Sequence, residues 1–225
     1  CLHTIFERLD FSRSERELLE DRVRRTLTSH GLDAEVWTPT VADWVERVLA
    51  TPLDANGLRL GTVTPDRRIN ELEFYYPVGR LRHEALRRLL ERHGYAAGPF
   101  REMIDRLEFS PLRGYMKGFI DLVFEADGLF YLVDYKSNWL GPEPAAYRPE
   151  RLAEAMAREA YVLQYLIYTV ALHRYLRLRV VDYAYERHFG GVFYLFLRGV
   201  DPTLGADCGI FHDRPAPELV TALDE

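Results

Sequence analysis

Cysteine and lysine are both scarce in this chain of 225 residues. The only cysteines are Cys1 and Cys208, too few for a disulfide framework, so a reducing cytoplasm is the expected location. The only lysines are Lys117 and Lys136, so arginine carries almost all of the positive charge. A lysine that occurs in a chemically suggestive pattern is therefore informative in this sequence.

Long apolar runs and phosphate-binding loops are also missing. No segment approaches the length of a membrane span, and no signal peptide is visible. The pattern G-x-x-x-x-G-K-[ST] does not occur, so we expect no ATP site in this segment. The formal net charge of −6 argues against tight unassisted binding of nucleic acid, but it is compatible with a metal site, which requires acids. The chain begins with Cys1 rather than Met, and we expect it to be part of a longer protein.

Apolar residues at helical spacing predict several helices, and the hydrophobic content of 48% is sufficient for one sizeable core. The first predicted helix covers residues 2–9. A capping box of Ser14 and Glu17 predicts the start of a second helix, which ends near Gly31. Pro39, after Thr38, predicts the start of a third.

The remaining chain alternates between strand and helix signals. Residues 69–76 alternate between polar and apolar like a strand, and the continuous apolar run at 192–197 predicts a buried strand. The longest helix is predicted from residue 149 to about residue 180. The tail from Asp201 onward is predicted to be irregular, with a helix at its end.

Two aspartates and a lysine on one predicted hairpin are the most informative residues. Asp127 and Gly128 form a strong two-residue turn signal between two apolar arms. Counting outward from that turn places Asp121 opposite Asp134, with Cβ atoms about 4.5–5.5 Å apart. Lys136 shares the face of Asp134 because side chains alternate along a strand. Two carboxylates so close together in apolar surroundings are costly unless a cation lies between them.

This arrangement suits metal-assisted cleavage of a phosphodiester. Carboxylate oxygens are ligands that Mg²⁺ prefers, and the metal can activate water and neutralise charge on the phosphate. A lysine beside the metal can stabilise the same charge or help to deprotonate the water. The alternative is a buried Asp–Lys–Asp cluster that only holds the sheet together. The paired arrangement with apolar flanks favours the functional interpretation.

Three segments, residues 117–141, 163–175 and 183–200, together resemble the RecB-type nuclease domains of the PD-(D/E)xK group. The resemblance implies an α/β fold, namely a restriction-endonuclease-like mixed central β-sheet flanked by helices, with a helical N-terminal portion. It also implies that residues 1–225 form a single nuclease domain, a fragment of a longer helicase–nuclease chain.

The resemblance implies roles for individual residues. Asp121 and Asp134 match the two catalytic carboxylates, which also bind the metal, and Lys136 matches the catalytic lysine. His3, in the pair Leu-His, matches a metal ligand. The backbone carbonyl of Tyr135 matches a further metal ligand.

Three more residues match positions around the catalytic site. Glu71 matches an acidic strand position near the metal, although Glu73 competes with it. Gln164 and Tyr168 match the Q-x-x-x-Y motif on a helix behind the site. From the residues alone, Gln164 is equally compatible with a core amide, and Tyr168 with a packing residue.

The resemblance further implies an exodeoxyribonuclease V type enzyme that uses one or two Mg²⁺ ions in DNA repair and recombination. The implied substrate is single-stranded DNA, the implied partner subunits are RecC and RecD, and RecA is a further candidate partner. A non-catalytic scaffold and a recombinase-docking module remain alternatives. A free-standing nuclease, or one from a two-nuclease complex, is another. Such relatives often bind an iron–sulfur cluster, for which Cys1 and Cys208 are insufficient.

Overall fold

The computed structural model describes residues 1–12, 15–108 and 112–225, with the backbone alone at 79–81 and 112–113. Within these ranges the chain forms nine α-helices and five strands. The helices are α1 (Leu2–Arg8), α2 (Arg16–Ser29), α3 (Ala34–Ala50), α4 (His83–Arg92), α5 (Pro99–Asp105), α6 (Pro149–Arg158), α7 (Tyr161–Arg177), α8 (Tyr185–His188) and α9 (Pro217–Asp224). The strands are β1 (Arg68–Leu81), β2 (Leu112–Ala126), β3 (Leu129–Lys136), β4 (Phe189–Phe196) and β5 (Ile210–Asp213).

The strands form one mixed sheet in the order β1-β2-β3-β4-β5. β3 and β4 are parallel, and the other neighbouring pairs are antiparallel. Parallel neighbours require a crossover connection, and α6, α7 and α8 supply it. The predicted mixed sheet with flanking helices is confirmed, as is the helical N-terminal portion.

Helices cover both faces of the sheet, and a hydrophobic core lies on each side. One core joins α1, α2 and α3 to the sheet and includes Phe6, Val23, Val45, Phe124 and Leu195. The other joins α4, α5, α6, α7 and α9 to the opposite face and includes Leu90, Ile104, Met156, Tyr165 and Leu219. In the described part of the chain, no helix combines the length and the apolar character needed to cross a membrane.

The hairpin of β2 and β3 has the predicted register. Its pairs run from Ala126 with Leu129 to Leu122 with Val133. Both turn residues have positive φ, 51° and 79°, as a type I′ turn requires. The ladder of pairs ends one position before the two aspartates, so the turn sequence alone determines where they lie on the two strands.

The predicted start of the third helix at Pro39 is wrong. The helix begins at Ala34, because the carboxylate of Asp33 accepts hydrogen bonds from the backbone N–H groups of Glu35 and Val36. Pro39 lies inside the helix, where it removes one backbone hydrogen bond without ending it. The predicted cap at Ser14 lies outside the described residues.

Two further predictions about secondary structure are wrong. The long helix predicted from residue 149 is two helices, because Ala160 adopts a left-handed conformation with φ 54° between α6 and α7. The tail predicted to be irregular contains β5, which pairs with β4 at the edge of the sheet. β5 is only four residues long and partly exposed, so it carries little of the apolar pattern by which strands are recognised. The predicted terminal helix is present as α9.

Candidate active site

β2 and β3 separate directly after the pair of Leu122 with Val133, and the two predicted catalytic aspartates lie at this fork. The Oδ2 atom of Asp121 accepts a hydrogen bond from the backbone N–H of Tyr135 at 2.9 Å. The carboxylate of Asp121 thus takes a position that a backbone carbonyl holds elsewhere in a ladder. This hydrogen bond fixes the carboxylate against β3.

Glu71 lies opposite Asp121 in the register of β1 with β2, between the pairs that Asn70 and Leu72 form. Glu71 has φ 50°, an unusual value for a residue with a side chain. The strand changes face at this point. The side chain of Asn70 donates to the carbonyl of Glu7 in α1, whereas Leu72 packs in the core on the other side of the sheet.

The charge environment separates Glu71 from its competitor. Burial, followed by the nearby charge of Asp121, raises the pKa of Glu71, and the nearby His3 lowers it. Glu73 instead forms an exposed ion pair with Lys117, with 2.7 Å between Oε1 and Nζ. Of the two glutamates, Glu71 therefore faces the fork.

α1 brings His3 to the fork. Its Nε2 atom lies 2.8 Å from the carbonyl oxygen of Tyr135 and 3.5 Å from Oδ2 of Asp121. The side chain remains 45% exposed, so the imidazole is accessible from solvent. Three atoms that the resemblance assigns to a metal, two from side chains and one from the backbone, thus lie around one point.

Asp134 is almost fully buried, with 3% of its surface exposed. Lys136 Nζ lies 2.6 Å from its Oδ2, but the contact is an ion pair without the geometry of a directed hydrogen bond. Burial and the charge of Asp121 raise the pKa of Asp134, whereas Lys136 and His3 lower it. The raised pKa means that the surroundings of Asp134 do not fully compensate a negative charge there.

Lys136 is held by residues from the opposite layer. Its Nζ donates to Oε1 of Gln164 in α7 at 2.9 Å and lies 3.9 Å from the ring centroid of Tyr161. The hydroxyl of Tyr194 in β4 donates to the same Oε1 at 3.0 Å, and Nε2 of Gln164 donates to the hydroxyl of Tyr168 at 2.9 Å. Gln164 and Tyr168 are thus both in a network that reaches Lys136.

Neither Tyr161 nor Tyr194 is predicted from the sequence to contact Lys136 or its glutamine partner. Tyr194 lies in an apolar run that predicts only a core strand, and it is indeed buried. A signal for Tyr161 existed, since it lies three residues before Gln164 and therefore on the same side of a helix.

The donor set fits a hard divalent cation. Asp121 and Asp134 offer carboxylates, Tyr135 a backbone carbonyl and His3 an imidazole, and oxygen donors are what Mg²⁺ selects. Oδ2 of Asp134 is buried and accepts no directed hydrogen bond, and this favours a cation here. No three His, Cys, Asp or Glu side chains among the described residues already form a metal cage. Such a cage is not expected from side chains alone, because one of the proposed donors is the backbone oxygen of Tyr135 and because Asp134 is paired with Lys136.

The sequence is similar to those of several known proteins. The sequence is 43% identical over 225 residues to the RecBCD enzyme subunit RecB of Escherichia coli K12, covering 100% of this chain and 18% of that protein. It is 40% identical over 226 residues to the subunit of the same name from Haemophilus influenzae, again covering 100% and 18%. For the Mycobacterium tuberculosis subunit the identity is 39% over 231 residues, with coverages of 92% and 21%. The chain thus spans about a fifth of the length of these relatives.

The match to a family extends over almost the whole chain. The PD-(D/E)XK nuclease superfamily matches residues 1–218, a range that contains α1 with its histidine, the fork and the network around Lys136. The mixed sheet flanked by helices is the architecture expected of that group. On both grounds, the chain belongs to the PD-(D/E)XK nuclease superfamily.

Proposed function

We propose that this chain is a Mg²⁺-dependent nuclease that hydrolyses phosphodiester bonds of single-stranded DNA. The observation that carries the proposal is the convergence at the fork. His3 Nε2 lies 2.8 Å from the Tyr135 carbonyl and 3.5 Å from Asp121, beside the ion pair of Asp134 and Lys136. Membership of a nuclease superfamily supports the same chemistry.

The proposed metal ligands are His3, Asp121, Asp134 and the carbonyl of Tyr135. Magnesium bound there would polarise the attacking water and neutralise charge that develops on the phosphate.

The other site residues act on charge and position. The ammonium of Lys136 orients the attacking water and stabilises the negative charge that grows on the phosphate oxygens. Gln164 and Tyr168 hold Lys136 in place through the hydrogen bonds described above. Glu71, which faces Asp121, adds a carboxylate that can orient a water or help to hold a second ion.

The proposed biological setting is based on the relatives. Their name assigns them to the RecBCD enzyme, so we propose that this chain is one domain of a longer subunit of that kind and works as an exodeoxyribonuclease V in DNA repair. RecC- and RecD-type subunits are then the partners that deliver the strand, in agreement with a net charge of −6 that disfavours tight unassisted binding. A contact with RecA and a cytoplasmic location stay predictions.

Cleavage of labelled linear and circular single-stranded DNA by the full chain tests the proposal. We expect Mg²⁺-dependent cleavage that EDTA abolishes and that Asp134→Asn lowers by about 10²–10³-fold or more. Asp127→Asn is the matched control. It changes an aspartate of the same hairpin to a residue that the type I′ turn accepts equally well, and it should leave the rate unchanged.

Wild-type rates in a folded Asp134→Asn variant would contradict the assignment of the site, and circular dichroism establishes that the variant is folded. A wild-type chain that binds DNA and cleaves neither substrate would instead favour the alternative function, a non-catalytic scaffold.

A further inference from the structure

Beyond the fork, β1 and β2 continue as a two-stranded ribbon that has one buried and one bare face. Leu72 and Phe74 fill the buried face, which packs against the core around α7. On the other face Tyr75, Tyr115 and Phe119 are 64%, 66% and 46% exposed. Large aromatic side chains grouped on an exposed surface indicate a binding site.

The bare face has a definite internal arrangement. The rings of Tyr75 and Tyr115 stack with centroids 4.7 Å apart and planes 5° from parallel. Lys117 is paired with Tyr75 in the sheet, and its Nζ lies 5.9 Å from the ring centroid of Phe119. Lys117 forms an ion pair with Glu73, and its ammonium has three N–H donors, more than this one contact uses. We call Tyr75, Tyr115, Phe119 and Lys117 the aromatic track.

The aromatic track is continuous with the candidate active site. Phe119 lies two residues before Asp121 on β2, and Tyr75 lies four residues after Glu71 on β1. At ~3.3 Å per residue, the strand from Tyr115 to Asp121 spans roughly 20 Å, a length that accommodates several nucleotides.

On the other side of the fork α1 covers the same face of the sheet, where it accepts the hydrogen bond from Asn70. Within the described residues, this face is thus covered by α1 as far as the site, and the aromatic side chains beyond the site are exposed.

We propose that the aromatic track binds the unpaired bases of a single nucleic-acid strand and leads that strand into the fork. The inference rests on the proposed nuclease function and adds to it the surface that holds the substrate. Bases stack on aromatic rings whatever their sequence, and Lys117 provides a contact for the backbone phosphates. A paired base offers no free face, so the track discriminates single strands from duplexes.

Binding of a fluorescein-labelled thymidine oligonucleotide to the full chain, measured by anisotropy in EDTA, tests the inference without cleavage. Tyr75→Leu/Tyr115→Leu removes both rings but keeps apolar side chains, and we expect Kd to rise at least about tenfold. Tyr75→Phe/Tyr115→Phe keeps both rings and should bind like the wild type. Trp37→Leu, which removes a half-exposed aromatic ring from α3, should also bind like the wild type.

Three outcomes would overturn the inference. The first is an unchanged Kd in a folded leucine variant, which would assign the bare face to a contact with another protein. The second is a wild-type chain without measurable binding, and the third is equal loss of affinity for a duplex of the same length. Hydrolysis of bis(p-nitrophenyl) phosphate by the wild-type chain tests the nuclease function separately, because this phosphodiester is too small to extend from the fork to Tyr115.

Discussion

Lys136 and Tyr194 donate hydrogen bonds to the same oxygen, Oε1 of Gln164, at 2.9 and 3.0 Å. The lysine comes from β3, the tyrosine from β4 and the glutamine from α7, so three elements determine where the ammonium lies. Neither the helix nor the strand alone would hold Gln164 in this orientation. The shared oxygen makes Tyr194 a positioning residue for the lysine.

Tyr194→Phe should therefore lower kcat on single-stranded DNA about fivefold and leave KM unchanged. The change removes one buried hydrogen bond, of about 1 kcal/mol, from the glutamine that orients Lys136. Tyr165→Phe is the control, since the hydroxyl of Tyr165 is equally buried but donates to Asp213, away from the lysine. Steady-state kinetics of both variants test whether Tyr194 positions Lys136. An equal loss of kcat in the two variants would mean that Tyr194 acts only through the stability of the fold.

The metal-free chain should lose stability as pH rises from about 4 to about 6. The pKa of Asp134 is raised from 3.8 to about 6 in the folded chain, so in this window the native state holds a proton that the unfolded chain has released. The unfolding free energy should then fall by about 2–3 kcal/mol as pH increases. Asp134→Asn removes this titration and should flatten that part of the profile.

Urea unfolding in EDTA at a series of pH values measures this difference. Added Mg²⁺ should restore stability to the wild type above about pH 6 and have little effect on Asp134→Asn, because a cation replaces the proton at the carboxylate. Parallel pH profiles for the wild type and the variant would contradict the predicted linkage.

Glu71→Gly should be more stable than Glu71→Ala by about 1 kcal/mol. Glycine normally destabilises a strand relative to alanine, but Glu71 has φ 50°, where a Cβ atom is unfavourable. Glu73→Gly and Glu73→Ala are the matched controls two residues along the same strand, and there alanine should be the more stable residue. Chemical denaturation of the four variants tests this reversal, and alanine being more stable at both positions would exclude backbone strain at Glu71.

Ala160→Gly should stabilise the chain by up to about 1 kcal/mol, because φ 54° at the junction of α6 and α7 suits glycine better than alanine. Ala157 lies inside α6, so Ala157→Gly should destabilise the chain by a similar amount. Thermal unfolding compares the two variants, and two shifts of the same sign would contradict the conformation at residue 160.

The sequence predicts the part of the site whose position depends on the turn between β2 and β3. Asp127 and Gly128 both adopt positive φ, which restricts the hairpin to one register and places Asp121 and Asp134 at the ends of the paired arms. Alternation along β3 then places Lys136 beside Asp134. Each of these steps depends on residues close together in the sequence, so the local pattern was sufficient.

The remainder of the site depends on contacts that no local pattern encodes. Tyr194 lies opposite Asp134 in the parallel pairing of β3 with β4, two strands that the crossover helices separate in the sequence. The change of face at Glu71 requires a left-handed backbone conformation, and a glutamate in the sequence does not indicate one. The break at Ala160 is similar, since alanine is the best helix former.

The parallel pairing of β3 with β4 has a consequence for synthesis. During translation the hairpin with Asp134 and Lys136 leaves the ribosome well before Gln164 and Tyr194. Until those later segments emerge, the lysine has no partner in the opposite layer and the aspartate lacks a neighbouring strand on one side. Under the proposed function, we therefore expect a nascent chain to be unable to cleave a phosphodiester until α7 and β4 have packed against β3.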